Sequence, residues 1–297
     1  MHLFLEIIKS VLYGILEGIT EWLPVSSTGH LILLEEILPL SVAPELGDTF
    51  AEEYFSMFEV VIQLGAILAV VVMFWSKLNP FSASKSREAK KATWSLWGKV
   101  AVASVPAAFI GIVLDKIIEK LSGKDIDGWI YNWQTVAAAL IAYGALFIII
   151  EKLQKNKQSN TLSVYDISLS QAAAIGCFQA LSIIPGTSRS GSTILGSRCI
   201  GISREAAAEF SFFLGIPAMA GASLIKGLGF FEYVSETGIS VPLSAWACLA
   251  VASVVAFAVS MVAIRFLMEF VKKHSFAPFG VYRIVLGVLV ILWFALR

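Results

Sequence analysis

Six stretches of this chain, roughly 55–75, 97–115, 133–151, 206–231, 245–268 and 276–296, are apolar and long enough to cross the ~30 Å hydrocarbon core of a bilayer. No other feature constrains the fold as strongly, because backbone polar groups in lipid must be satisfied within the protein. Two further stretches, 3–40 and 167–200, are apolar but interrupted in their middles by Pro, Gly, Ser and Thr. Each reads as two short half-helices around a polar turn. Non-helical backbone is tolerated at membrane depth only where protein or water surrounds it, so both stretches are expected to be re-entrant hairpins. Composition agrees: 57% of residues are hydrophobic and only 15% charged, against ~25% charged in a soluble domain. The expected class is an all-α polytopic membrane protein.

The two interrupted stretches resemble each other. GILEGITEWLPVSSTGHLIL (14–33) and GCFQALSIIPGTSRSGSTIL (176–195) both run Gly-x-x-Glu/Gln, then Pro, then a Ser/Thr-rich turn. Downstream, Glu59 precedes Gly65 by six residues, as Glu209 precedes Gly215, and WGKVAVAS (97–104) matches WACLAVAS (246–253). Three matches in one order indicate an internal duplication, with repeats at about 1–152 and 163–297. Each half holds one hairpin and three spans. Three is odd, so the second half is expected to be inverted relative to the first. Charge distribution tests this through the cytoplasmic excess of Lys and Arg. With loop 76–96 cytoplasmic, fourteen basic residues fall on that side. The other side holds six: Lys9, Lys116, Lys120, Lys124, Lys226 and Arg297. Inverted repeats whose broken helices meet near the midplane are a known membrane plan.

Charge and cysteine content exclude several functions. Twenty-two basic residues balance 22 acidic ones, which argues against a nucleic-acid partner. Cys177, Cys199 and Cys248 lie in apolar segments without a CxxC pattern and read as packing residues. The N-terminus lacks a basic leader and a small-residue cleavage site, so it is expected to be retained.

The polar residues cluster in the hairpins. Glu17 and Glu21 are four apart and share a helix face. Unpaired carboxylates are costly in hydrocarbon, so they require a cationic partner, a proton or water. Oxygen ligands of this kind suit hard cations such as Mg²⁺ and Ca²⁺. Pro24 ends the half-helix, and Ser26, Ser27 and Thr28 follow as caps or as ligand contacts. Ser27 and His30 are three apart, so one helical turn is expected to bring nucleophile and base together. No HExxH or paired His/Cys pattern points to zinc.

The second hairpin carries the complement, PGTSRSGST (185–193). Arg189 at bilayer depth costs ~2.5–3.5 kcal/mol on insertion scales. It must pair with Glu17 or Glu21, or receive an anionic ligand. Gly186, Thr187, Ser188, Ser190 and Thr193 supply small residues, hydroxyls and N–H donors at a helix start, the composition of an oxyanion nest. Together the hairpins hold the groups for phosphate chemistry at membrane depth, which a lipid-linked phosphate would explain. Glu59 and Glu209, also inside spans, are expected to play structural roles and are kept as further site candidates. Arg283, near a span end, is expected to snorkel or pair.

EGITEWLPVSSTGHL and PGTSRSGST together resemble the undecaprenyl-diphosphate phosphatases of the bacitracin-resistance type. The resemblance covers essentially the whole chain. It implies a bacterial inner-membrane enzyme that removes the terminal phosphate of undecaprenyl diphosphate, needs Mg²⁺ or Ca²⁺, and opens its site to the periplasm. On this resemblance Glu17, Glu21, Ser27, His30 and Arg189 are expected to be catalytic, with Glu17 and Glu21 also holding the metal. Ser26, Thr28, Gly186, Thr187, Ser188, Ser190 and Thr193 are expected to contact substrate. The expected partners are a polyprenyl diphosphate, membrane lipid and, as protein partner, a second copy of the chain in a homodimer. The rival reading is a polyprenyl-phosphate transporter or flippase, since paired hairpins in inverted repeats are transporter architecture. A phosphatase of the acid-phosphatase-like membrane superfamily is disfavoured, because its pair of histidines is missing.

Overall fold

A computed structural model describes residues 2–122, 130, 132–157, 159 and 161–296. Lys124 and Arg297 lie outside the described residues. In chain order the helices are α1 (His2–Thr20), α2 (Ser27–Ile37), α3 (Asp48–Val61), α4 (Gln63–Met73), α5 (Trp75–Leu78), α6 (Arg87–Ser122), α7 (Trp133–Leu153), α8 (Leu169–Ala180), α9 (Arg189–Cys199), α10 (Arg204–Thr237), α11 (Leu243–Lys273) and α12 (Ala277–Ala295). No strand occurs among the described residues, only an isolated parallel bridge between Thr161 and Ile202.

Five stretches are long and apolar enough to cross a membrane: Asp48–Met73, Trp133–Leu153, Arg204–Thr237, Leu243–Lys273 and Ala277–Ala295. They coincide with five of the six expected segments. The sixth, 97–115, lies within α6, whose basic N-terminal turns extend the helix beyond the apolar run. The apolar windows are not closed inward; 39% of the α11 window and 28% of the α12 window are buried. Phe4, Val254, Leu292 and many other large apolar side chains point outward. In water such a surface would drive aggregation. Around a multi-pass membrane protein it faces hydrocarbon.

Both interrupted stretches are helical hairpins. Pro24 breaks the first between α1 and α2, and Pro185 the second between α8 and α9. Proline alone does not end a helix here, since Pro106 and Pro217 lie inside α6 and α10. At the two turns the proline is followed by a serine at positive φ, 78° at Ser26 and 70° at Ser188, which a right-handed helix does not accommodate. The flanking helices are held by local chemistry. Ser168 and Gln171 form a reciprocal capping box at the start of α8, and Asn132 caps α7 through the Thr135 N–H at 2.9 Å.

Packing exchanges elements between the halves of the chain. The first hairpin's α1 lies along α11, and the second hairpin's α8 lies along α6. In addition, α3 packs on α10 and α7 on α12. Small residues make the approach close: a Cβ on Gly14 would lie 2.5 Å from the Ala252 carbonyl, and one on Gly176 would lie 2.3 Å from that of Ala103. Gly14 and Gly176 are equivalent in the sequence repeat, as are Ala252 and Ala103. These reciprocal pairings bring the two proline turns together inside the main apolar core, beside Trp22, Ile194, Phe210 and Phe212. Of the cysteines, Cys248 is buried in this way, whereas Cys177 is exposed on the outer face of α8.

Candidate active site

The two turns meet at Glu21. The helical path of α1 continues to this residue through a Glu21 N–H bond to the Glu17 carbonyl, 3.0 Å. Arg189, the first residue of α9, donates from Nη2 to Glu21 Oε1 at 2.9 Å and from Nε to the same oxygen at 3.3 Å. Its Nη1 donates to the Ser211 carbonyl of α10 at 2.7 Å. The guanidinium lies over the buried Trp22 ring, 5.8 Å from its centroid. Gly215 leaves room for it, since a Cβ there would sit 2.8 Å from Nη2. Of the two partners open to Arg189 in the sequence, the fold selects Glu21. The opposite carboxylate oxygen, Oε2, accepts from Ser27 Oγ at 2.8 Å.

Ser27 and His30 do not meet as their spacing suggests. Ser26 caps α2, and His30 folds back so that Nδ1 lies 2.6 Å from the Ser26 carbonyl. A carbonyl only accepts, so Nδ1 carries the proton. Nε2 lies 2.7 Å from the Tyr282 hydroxyl of α12, with the two rings nearly parallel at 5°. The side chain that Ser27 contacts is therefore Glu21, and both His30 nitrogens are engaged elsewhere.

A second arginine fastens the turns from behind. Arg283 is fully buried, and its Nη1 donates to the Pro24 carbonyl at 3.1 Å. Its Nη2 donates to the carbonyls of Gly186 at 2.6 Å and Thr187 at 2.9 Å. Ser190 Oγ adds a bond to the Glu21 carbonyl at 2.9 Å. Arg283 thus neither snorkels nor finds a carboxylate; it supplies donors to turn carbonyls that no helix satisfies. Arg283 and Tyr282 were not among the expected site residues. The available signal was the same lone cation in an apolar run that marked Arg189.

The remaining expected residues divide into turn supports and outliers. Thr187 Oγ1 donates to the Ile184 carbonyl at 2.8 Å, and Thr193 Oγ1 lies 2.7 Å from Ser211 Oγ. Ser188 Oγ caps α9 through the Gly191 N–H at 3.1 Å and contacts Ser190 Oγ at 3.1 Å. Gly186 has φ of 92°, a conformation that side chains rarely adopt, and a Cβ there would lie 2.7 Å from the Val136 carbonyl. Thr28 is half-buried on the first turn of α2. Glu209 lies apart, paired with Lys77 at 2.5 Å. Glu59 lies within electrostatic range of Glu17.

Glu17 is fully buried, and among the described residues neither carboxylate oxygen has a hydrogen-bond partner. A buried carboxylate in that position calls for a proton or a cation. Among the described residues no three His, Cys, Asp or Glu side chains converge on a metal position. Glu17, with Glu21 one helical turn on, thus offers part of an oxygen shell. That suits a hard cation which takes its other ligands from phosphate and water, as Mg²⁺ commonly does.

Residues 10–289 match the family described as Bacitracin resistance protein BacA. A protein named undecaprenyl-diphosphatase from Acetivibrio thermocellus is 49% identical over 290 residues, 98% of each chain. One of the same name from Enterococcus faecalis is 49% identical over 97% of each chain. Undecaprenyl-diphosphatase 1 of Clostridioides difficile is 48% identical over 98% of this chain and 97% of its own. The match takes in both hairpins and the α12 arginine that joins them, and the chain belongs to the bacitracin resistance protein BacA family.

Proposed function

We propose that this protein is an undecaprenyl-diphosphatase: water and undecaprenyl diphosphate give undecaprenyl phosphate and inorganic phosphate. The observation that carries the reading is the Arg189–Glu21–Ser27 chain at the junction of two hairpins inside an apolar helical bundle. The hydrolase name shared by relatives at 48–49% identity over nearly full length favours hydrolysis over transport. The enzyme would sit in a bacterial inner membrane with its site toward the periplasm, the side opposite the basic loops.

Arg189 is the group that recognises phosphate. Leaving Glu21 for the terminal phosphoryl oxygens, it would neutralise charge that grows in the transition state, the main demand of phosphoryl transfer. Glu21 Oε2 is already placed to take the proton of the Ser27 hydroxyl it binds, while Oε1 is the oxygen that Arg189 leaves. Ser27 Oγ then attacks the terminal phosphorus, its proton passes to Glu21, the bridging P–O bond breaks, and undecaprenyl phosphate leaves. Water releases phosphate from Ser27 in a second step. In a direct route, water attacks and its proton passes to His30 Nε2 once Tyr282 yields that nitrogen. A Mg²⁺ or Ca²⁺ ion bound by Glu17 and Glu21 would supply Lewis-acid polarisation of the diphosphate. Ser26, Ser188, Ser190 and Thr193 hold the helix N-termini that face the junction.

Phosphate release from undecaprenyl diphosphate by the purified protein, with Mg²⁺ and with chelator, tests the reading. Release that Arg189→Ala and Glu21→Gln abolish supports it. No release from folded wild-type protein would return the transporter to the front. Acid-stable label on Ser27 after a quench selects the covalent route; full activity in Ser27→Ala eliminates it.

A further inference from the structure

The face between α2 and α12 is left open by packing. A groove of ≈ 640 Å³ runs there, lined by Leu33 and Ile37 of α2 and by Leu286, Leu289 and Trp293 of α12, among other apolar side chains. That volume lies within the ~300–1,000 Å³ range of ligand pockets. Its lining contains no ionisable residue. Val290 forms its floor, buried against Val136, Ala137 and Leu140 of α7. Its rim is open, with Ile37 57% and Leu289 54% exposed.

The groove begins at the candidate site. Leu33 is one helical turn beyond His30, and Leu286 one turn beyond Tyr282, so its head lies roughly 5 Å from the bond joining those two side chains. The same helix, α2, carries Ser27 at its other end. A ligand with its charged head at Ser27 and Arg189 and an apolar chain behind it would run along α2 from the polar turn to this apolar surface.

We propose that the groove seats the isoprenoid segment next to the diphosphate and so aligns the terminal phosphorus with Ser27. This rests on the diphosphatase reading. Within a bilayer the tail exchanges one hydrocarbon environment for another, so burial contributes little affinity. What the groove provides is orientation, and a small misplacement of reacting atoms is expensive in rate. The groove is too short for a whole polyprenyl chain, and the remainder extends into lipid.

The experiment compares kcat/KM for undecaprenyl diphosphate with that for dimethylallyl diphosphate, a single-isoprene substrate that cannot reach the distal groove. Leu289→Trp fills the middle of the groove from its exposed rim, Leu33→Phe narrows it from α2, and Val254→Trp changes a lipid-facing position on α11 as control. Both groove variants are expected to lower the long-to-short ratio by roughly tenfold, the scale of a sub-ångström misalignment, and the control to leave it unchanged. The ratio discounts any loss of folded protein, because misfolding removes both activities together. Release from both substrates with an unchanged ratio in the two groove variants would show that the groove holds only bilayer lipid, and would overturn this proposal alone. No release from either substrate by the wild type would overturn the diphosphatase reading and the groove assignment with it.

Discussion

The two hairpin turns share a strained capping serine and differ in charge. In each, a proline is followed by a serine at positive φ, 78° at Ser26 and 70° at Ser188. Each serine caps the next helix by accepting from a glycine N–H three residues on, at 3.3 Å in α2 and 3.1 Å in α9. A non-glycine residue in such a conformation costs of order 1–3 kcal/mol and persists only when its surroundings impose it. The chain carries this cost twice in order to aim two helix N-termini at one point. The functional groups then diverge: the first turn presents Glu21, Ser27 and His30, the second Arg189. Glu17 and Gln179, equivalent in the repeat, differ in the same sense, and both have a buried oxygen without a partner. Two strained, capped turns make a junction; only their unlike side chains make that junction a site.

The largest test exchanges the charges. Arg189→Ala leaves Glu21, with only 7% of its side chain exposed, without its cation, and breaking a buried pair of this kind costs ~3–5 kcal/mol. A double variant, Glu21→Arg with Arg189→Glu, restores opposite charges across the junction. It is expected to recover much of the thermal stability lost by either single change. Its kcat is expected to remain at least ~100-fold below wild type, the scale of losing one group that stabilises developing charge, because Ser27 then has a cation for a neighbour. Thermal unfolding and phosphate release measure the two separately. Recovery of both would mean that the charges can sit on either hairpin and that the asymmetry carries no chemistry.

A smaller effect is expected at the clamp. Arg283→Ala leaves the carbonyls of Pro24, Gly186 and Thr187 without the donor they share, each a loss of ~1–3 kcal/mol if no water replaces it. Arg283→Lys keeps a cation but not the planar fork that reaches both turns. The lysine variant is expected to fold and to lose roughly tenfold in kcat, with the alanine variant less stable and less active. If Arg283→Lys instead raised KM alone, Arg283 would act on substrate binding rather than on the alignment of the turns.

Most of the fold was legible because a bilayer turns length and polarity into strong signals. The apolar runs announced the spans, and Pro24 and Pro185, each followed by a Ser/Thr-rich turn, announced the breaks, whereas Pro106 and Pro217 lie inside continuous helices. Arg189 was legible from the cost of a lone cation at membrane depth. Pairings depended on facts that spacing does not contain. Ser27 and His30 are three apart, yet the Ser26 carbonyl and the hydroxyl of Tyr282, 252 residues away, hold the imidazole from the serine. Position near a span end suggested snorkelling for Arg283, but α12 packs along α7 and carries that residue inward to the turns. Glu209 matched Glu59 in the repeat, but its partner is Lys77 on the short helix α5, which spacing alone does not place beside it.

The finest test asks whether the two capping serines are equivalent in energy as well as in conformation. Ser26→Gly and Ser188→Gly each remove a cap that glycine replaces at a loss of only a few tenths of a kcal/mol, and each relieves a positive φ that glycine adopts freely. Ser26→Gly keeps the main-chain carbonyl that holds His30 Nδ1, so the imidazole stays in place. Relief of ~1–3 kcal/mol is opposed by the lost cap and by ~0.5–1 kcal/mol of extra unfolded-chain freedom that glycine brings, so both variants are expected to be as stable as wild type or more so, by up to ~1 kcal/mol. Thermal midpoints of the pair, measured in the same detergent, decide it. Shifts of the same sign and size mean that the strain belongs to the conformation the two serines share. Stabilisation at one turn with destabilisation at the other would mean that one serine hydroxyl is held for more than capping, and the turn that loses stability would be the one whose hydroxyl the site uses.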